Sequence, residues 1–354
     1  MQKKKVCFFL NTLAVPGGTQ RVLTTIVNQL VNNYTVSIIV TESLETVFDL
    51  DDRVQLVMIP SVKNSFFLWK RSFFVYNYLK KKSIHYFVVL DANISLIYNC
   101  FVPSKCQAII WEHLSLKNNR TTFFCRLSRW MATKYVDKFV FLNDLEIKLW
   151  RDKYALSERK IVKIYNPLSF NNIPKVDPQG LFSKKKMLAV GNAIHVKGFD
   201  LLLESWRILN AKGWVLQIVG LTEERAKDLM VLITEFELEK SVELIPPVSN
   251  IEYYYLNASI YCLSSRSEVL PMVLIEAQAY GLPAVCFPCG GGPKEILNQS
   301  GIICNSYSVN EYAMALRSLI ESSAAFVKFS NAAQISSKEF EISKIIKEWE
   351  RVFS

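Results

Sequence analysis

Short apolar runs alternate with amphipathic stretches along the whole chain. In the first half KVCFFL, TVSIIV, VQLVMI, YFVVL, QAIIW and KFVFL read as strands, several of them fully apolar as central parallel strands are. Between them TQRVLTTIVNQLVNN and DLEIKLWRDKY place apolar residues at helical spacing. After Asn166-Pro167 the stretch SFNNIPKVDPQGLFSKKK has no periodicity and is rich in proline and charge, so it reads as a linker. The pattern restarts with KMLAVGN, a helix from about residue 198, and the strands WVLQIVG, VELI, ASIYCL and PAVCFP. The economical reading is α/β: two Rossmann-like, doubly wound domains, residues 1–166 and 167–337, facing a cleft at the carboxyl ends of their strands. A final amphipathic helix, about 338–354, is left over after the second sheet and is a candidate to pack back on the first domain.

One helix stands out. In SSRSEVLPMVLIEAQAYGLP, residues 264–283, Pro271 suits a first turn because it has no N–H to leave unpaired, and Gly281 with Pro283 forms a stop signal. The spacing predicts a helix over about 271–280 with almost no wet face. Glu276 is therefore expected to be buried, and a buried carboxylate needs a polar partner. The amides of Met272, Val273 and Leu274, with the positive end of the helix dipole, are expected to form an anion site that suits a diphosphate. The same residues also fit a structural arrangement, with Glu268 leading the helix and Glu276 paired with a core Lys or Arg.

Charge and cysteine usage narrow the class. The excess of 42 Lys and Arg over 32 Asp and Glu, a net +10, suggests an anionic partner: nucleic acid, a phosphate-bearing substrate or a membrane surface. No apolar run reaches the roughly 18 residues a spanning helix needs. The start, MQKKKVCFFLNTLAVPGG, imitates a secretory signal, but Asn11, the lack of a small-x-small cleavage site and the run into Gly17-Gly18 and a helix favour a first strand and its phosphate loop. Eight cysteines without framework spacing favour a reducing compartment. Cys286-Phe-Pro-Cys289 has the form of a redox dithiol, but GGGP after it reads as a loop, and no second pair completes a zinc site, so these are expected to be strand-end cysteines. The segment 62–87, VKNSFFLWKRSFFVYNYLKKKSIHYF, and RTTFFCRLSRWMATKY mix cations with aromatics. That mixture suits an anionic membrane interface, stacking on single-stranded nucleic acid, or an ordinary helix with core aromatics and wet lysines.

The stretch SRSEVLPMVLIEAQAYGLPAVCFPCGGGPKEI, with VGNAIHVKGFDLLLESW before it and PGGTQRVL near the start, resembles the retaining glycosyltransferases of family 4, which have the GT-B fold. The likeness covers nearly the whole chain in the right order. It implies that Glu268 and Glu276 are the paired glutamates of a nucleotide-sugar donor site, Glu276 accepting from the ribose hydroxyls and Glu268 lying near the transferred sugar. Lys197, in HVKGFD, would bind the donor phosphates and stabilise the departing diphosphate without a metal. The Gly17-Gly18 loop would face the phosphate and sugar, and His113, in IIWEHLS, would lie beside the sugar, with Glu112 facing the other way. Two positions depart from the family: Asn192 stands in the substrate-binding loop where arginine is usual, and Val269 where glycine is common. The implied activity is transfer of a hexosyl or N-acetylhexosaminyl group with retention, from a UDP-sugar or alternatively GDP-mannose, with no other cofactor. The acceptor would be a lipid-linked glycan or polysaccharide of a bacterial surface such as capsule or lipopolysaccharide. The expected location is cytoplasmic, peripheral at the inner face of the cell membrane, with an anionic membrane surface and no nucleic acid as partner. Two other classes compete. A dinucleotide-dependent oxidoreductase would need G-x-G-x-x-G after a strand and an acidic residue about 20 positions on, and neither half supplies the set. A non-catalytic lipid- or nucleic-acid-binding protein on the same fold is hinted at only by Asn192.

Overall fold

The computed structural model describes residues 3–59, 68–117, 122–170 and 172–354. Residues 62–67 of the basic aromatic segment, Arg120 and Thr121 of the second such segment, and Asn171 lie outside the described residues. The chain divides into two units, Met1–Ser169 with Ile342–Ser354, and Phe170–Glu341.

In the first unit β1 (Lys5–Phe9), β2 (Thr35–Val40), β3 (Gln55–Met58), β4 (Tyr86–Val89), β5 (Gln107–Trp111), β6 (Lys138–Phe141) and β7 (Ile161–Lys163) form one parallel sheet in the order β3-β2-β1-β4-β5-β6-β7. Its apolar strands are covered by helices, as a parallel sheet requires. Cys7, Phe9, Ile39, Phe87 and Val89 pack with Val75 and Leu79 of the helix Leu68–Lys82. A second cluster joins Ala108, Ile110, Phe139 and Phe141 to Ala132 of the helix Phe123–Tyr135 and Trp150 of the helix Asp144–Tyr154. The last helix, Ile342–Val352, belongs to this unit. Trp349 anchors it: the side chain is fully buried, with its ring 4.9 Å from Trp111 and 6.3 Å from Phe8. Truncating an aromatic in such a core costs about 3–5 kcal/mol.

The second unit repeats the design with β8 (Lys186–Val190), β9 (Val215–Val219), β10 (Val242–Ile245), β11 (Ile260–Leu263), β12 (Ala284–Cys286) and β13 (Gly301–Ile303), parallel and ordered β10-β9-β8-β11-β12-β13. The strand order reverses between β1 and β4 in one sheet and between β8 and β11 in the other, and such switch points are where open α/β sheets take ligands. Part of the expected linker is folded: Asp177 accepts from the amides of Gln179 and Gly180, capping the helix Pro178–Ser183, whose Leu181 is buried. No helix among the described residues is long and apolar enough to cross a membrane.

Candidate active site

Loops at the carboxyl ends of β8, β11 and β12 build the principal site in the second unit. After β8 the chain passes Gly191 and Asn192 into the short helix Ile194–Lys197. A Cβ on Gly191 would stand 2.7 Å from Cγ of Lys197, so the lysine stem lies across that glycine. Gly198 has φ +63, and a Cβ there would collide with the Ser264 carbonyl, so both conformation and space demand glycine. This close approach joins the loops after β8 and β11. Ser264 Oγ donates to the Lys197 carbonyl at 2.8 Å, and the Arg266 amide donates to the Val196 carbonyl at 2.8 Å.

The consequence is an ion pair. Lys197 Nζ donates to Glu268 Oε1 at 2.7 Å, and Ser265 Oγ donates to the same oxygen at 2.8 Å. Both charged side chains keep some exposure, 20% for the lysine and 14% for the glutamate. An ammonium has three donors and this one spends one on Glu268, so two remain for an incoming anion. The Glu268 backbone is fixed in turn by its amide, which donates to the Cys289 carbonyl at 2.7 Å, and by Gly290, where a Cβ would strike the Glu268 carbonyl.

The following helix is Met272–Ala279, and Pro271 is its extended N-cap rather than its first helical residue. The Leu274 amide donates to the Pro271 carbonyl at 3.0 Å, which corrects the expectation of three open amides: Met272 and Val273, both half-buried, provide the open turn. Glu276 is 2% exposed, and its Oε2 accepts from the Tyr255 hydroxyl at 2.9 Å. A tyrosine of the helix Glu252–Leu256 is thus a polar partner of this buried carboxylate. Tyr255 carries no signal in the sequence, because three consecutive tyrosines at 253–255 give no spacing that singles one out. Tyr280 stacks on it at 5.6 Å.

Asn192 is exposed, and its carbonyl accepts from Arg225 Nη1 at 2.7 Å. Arg266 is held by Asp200 through two bonds of 2.7 and 2.6 Å. Arg225 lies in no motif that marks it in the sequence, and Arg266, though inside SRSEVLPM, has no spacing that points to Asp200. Val269 is half-buried, and its carbonyl abuts Gly292, where a Cβ would collide with it.

The first unit holds the remaining candidates. Gly17 is the extended N-cap (φ −162) of the helix Gly18–Leu30, with no side-chain cap on that helix. Its backbone would accept any residue, so glycine there leaves space rather than relieving strain. His113 follows β5 with its ring 4.5 Å from Trp111. Its Nε2 is buried without a partner among the described residues, and burial pushes its pKa down to about 3, so the imidazole is neutral near pH 7. Glu112 turns into the protein: Oε1 accepts from the Leu114 amide at 3.0 Å and Oε2 from the Ala92 amide at 3.3 Å, tying the loop after β5 to the loop after β4. Burial, and then the neighbouring Asp91 charge, push Glu112 up to about 8, against the opposing charge of the buried Arg129.

Cys286 and Cys289 are free, buried thiols. The helix Gly291–Leu297 starts two residues after Cys289, which corrects the expected loop. They are still not activated, because burial pushes Cys289 up to about 12 and Cys286 well above the ordinary thiol value. Among the described residues no group of three or more His, Cys, Asp or Glu could hold a metal ion. A recess of about 590 Å³ in the second unit is lined by Leu221, Ala226, Met230, Ile233 and Val242, an apolar wall unsuited to a diphosphate.

Residues 175–336 match the family described as glycosyl transferases group 1. Over 362 residues the chain is 31% identical to an uncharacterized glycosyltransferase of Haemophilus influenzae, covering 99% of both chains. The chain belongs to the group 1 glycosyltransferases. This glycosyltransferase is also 28% identical to the amylovoran biosynthesis glycosyltransferase AmsD of Erwinia amylovora, over 99% of each. Its fold is similar to that of Anabaena HepE, crystallised in complex with UDP, with a TM-score of 0.78, 16% identity and 99% of each chain covered. The two parallel sheets are therefore the two Rossmann-like domains of a GT-B enzyme, and the rival oxidoreductase reading falls away.

Proposed function

We propose that this glycosyltransferase moves a hexosyl or N-acetylhexosaminyl group, with retention, from a UDP-sugar to a lipid-linked or polysaccharide acceptor of a bacterial surface glycan. The observation that carries the reading is the convergence, at the β8/β11 switch point, of Lys197 on Glu268 with the open amides of Met272 and Val273. A cation and a helix N-terminus together suit a diphosphate and stabilise it as it leaves. In this reading Lys197 and the two amides take the neutralising role, so transfer proceeds without a metal, and Glu276 holds the ribose diol from the same helix. Uridine is the first choice of base because of the PMVLIEAQ and GGPKEI segments and because HepE was solved with UDP. The polysaccharide acceptor is supported by the kinship with AmsD.

Docking on an anionic membrane at the cytoplasmic face is part of the proposal. Phe73 is 66% exposed on the helix Leu68–Lys82, and Phe123 and Tyr135 are 75% and 58% exposed on the helix Phe123–Tyr135. The short helix Ser95–Tyr98 packs against both of these helices. Exposed Lys80, Lys81, Lys82, Arg126 and Lys134 accompany the aromatics. Aromatics that are wet rather than core, beside cations, are what a bilayer interface with anionic lipid recognises.

Calorimetric titration with UDP tests the donor site. Glu276→Gln keeps an acceptor for Tyr255 but loses the charged acceptor for a diol, and affinity should fall about ten- to a hundredfold. Equal UDP affinity in parent and variant refutes the assignment.

A further inference from the structure

Lys197 is not a free charge, because Glu268 shares it, and Arg266 is occupied on both sides of its fork by Asp200. A nucleoside diphosphate at this corner carries more negative charge than the remaining half-shared ammonium and two amides offset. Beyond Lys197 the segment after β8 adds no further full charge at position 192, since Asn192 is neutral.

The loop after β9 lies against that same turn. Gly220 has φ +110, and a Cβ on it would stand 2.9 Å from the Gly191 carbonyl, so the two strand ends are in direct backbone contact. Three residues later the helix Glu223–Glu235 begins, and its third residue, Arg225, donates from Nη1 to the Asn192 carbonyl at 2.7 Å. Arg225 is exposed, and no carboxylate among the described residues pairs with it. Its neighbours Glu223 and Glu224 precede it by two and one positions, spacings that do not face each other on a helix. Only one of the five guanidinium N–H donors is used. Because β9, β8 and β11 are adjacent in the sheet, at about 4.8 Å per strand, Arg225, Lys197 and the Met272 turn stand on three consecutive strand ends.

We infer that Arg225 is a phosphate-binding residue of the donor site, anchored by the Asn192 carbonyl and supplying from the helix after β9 a positive charge that position 192 lacks. This rests on the donor reading proposed above. A charge-assisted bond of this kind, at a partly exposed site, is worth about a tenfold change in affinity.

The test titrates UDP and uridine (GDP and guanosine if the parent takes those) into the parent, Arg225→Gln, Arg225→Lys and Glu276→Gln. Arg225→Gln should bind the diphosphate about tenfold more weakly while nucleoside affinity is unchanged, Arg225→Lys should recover part of the loss, and the gap should narrow as salt is raised. The inference falls if Arg225→Gln binds the diphosphate like the parent while Glu276→Gln does not, in which case the donor reading stands. It also falls if nucleoside and diphosphate are lost in equal proportion, which would place Arg225 on the base. A parent that binds neither diphosphate overturns both readings together.

Discussion

Glu112→Gln should flatten the pH dependence of stability in the first unit. The native carboxyl titrates at about 8 against an ordinary 4.5, so between these values the folded chain holds a proton the unfolded chain has released, and stability falls as pH rises. His113 works in the opposite sense. Its native value of about 3 lies below the ordinary 6.5, so the unfolded chain holds the extra proton in that interval and stability rises with pH. Each effect is worth about 1.4 kcal/mol per pH unit, so the two cancel between 4.5 and 6.5. From 6.5 to 8 the Glu112 effect prevails over the fading His113 effect, and about 1 kcal/mol should be lost, a several-fold drop in protection. Glutamine mimics the neutral acid and keeps one acceptor for the Ala92 and Leu114 amides, at a uniform cost of about 1 kcal/mol. Hydrogen-exchange mass spectrometry on peptides covering β5, corrected for the intrinsic pH dependence of exchange, reads the slope locally. If parent and variant lose protection in parallel between pH 6.5 and 8, Glu112 is not holding a proton and the argument from burial and the Asp91 charge is wrong.

Lys197→Ala should lower transfer by about a hundredfold or more, the scale of losing one charge stabiliser of a leaving group, while the melting temperature moves little. Chelator should leave parental transfer intact; an absolute requirement for a divalent ion would contradict the role given to Lys197. Replacing Lys80, Lys81 and Lys82 with glutamine should weaken binding to anionic vesicles by about 3 kcal/mol at low salt, with UDP affinity unchanged. Equal sedimentation of parent and triple variant with those vesicles would make these lysines a solvated face.

The two sheets are legible in the sequence because central parallel strands are apolar on both faces, and KVCFF, TVSIIV and YFVV announce themselves without context. The edges are not. β7 and β13 have three residues each, IVK and GII, shorter than any period that alternation can reveal. The folded end of the linker is hidden for a related reason: six residues capped by Asp177 form a helix through one buried leucine, a tertiary contact that local pattern does not carry. Pro271 sits one position earlier relative to its helix than the pattern predicts, since proline satisfies both an N-cap and a first turn, and only the Leu274 bond to its carbonyl separates the two.

The candidate site divides along the same line. Lys197, Glu268 and Glu276 are readable because each sits in a local motif, with Gly198 or Pro271 fixing the turn beside it. Their partners are not. Lys197 and Glu268 are 71 positions apart, Tyr255 and Glu276 are 21 apart, and Arg225 meets Asn192 across 33. The parallel crossover rule predicts that β8 and β9 are neighbours, and hence that the loops following them meet, but it says nothing about which side chain crosses. A charge missing from one loop is therefore visible in the sequence as a departure, while its replacement from the next strand is visible only when the strand ends are seen together. The neutral Asn192 and the cationic Arg225 are two halves of one electrostatic arrangement, and substitution of either half alone should be felt at the other: removing the guanidinium leaves a carbonyl that water can satisfy, whereas a cation at 192 would repel Arg225 and displace it from the turn.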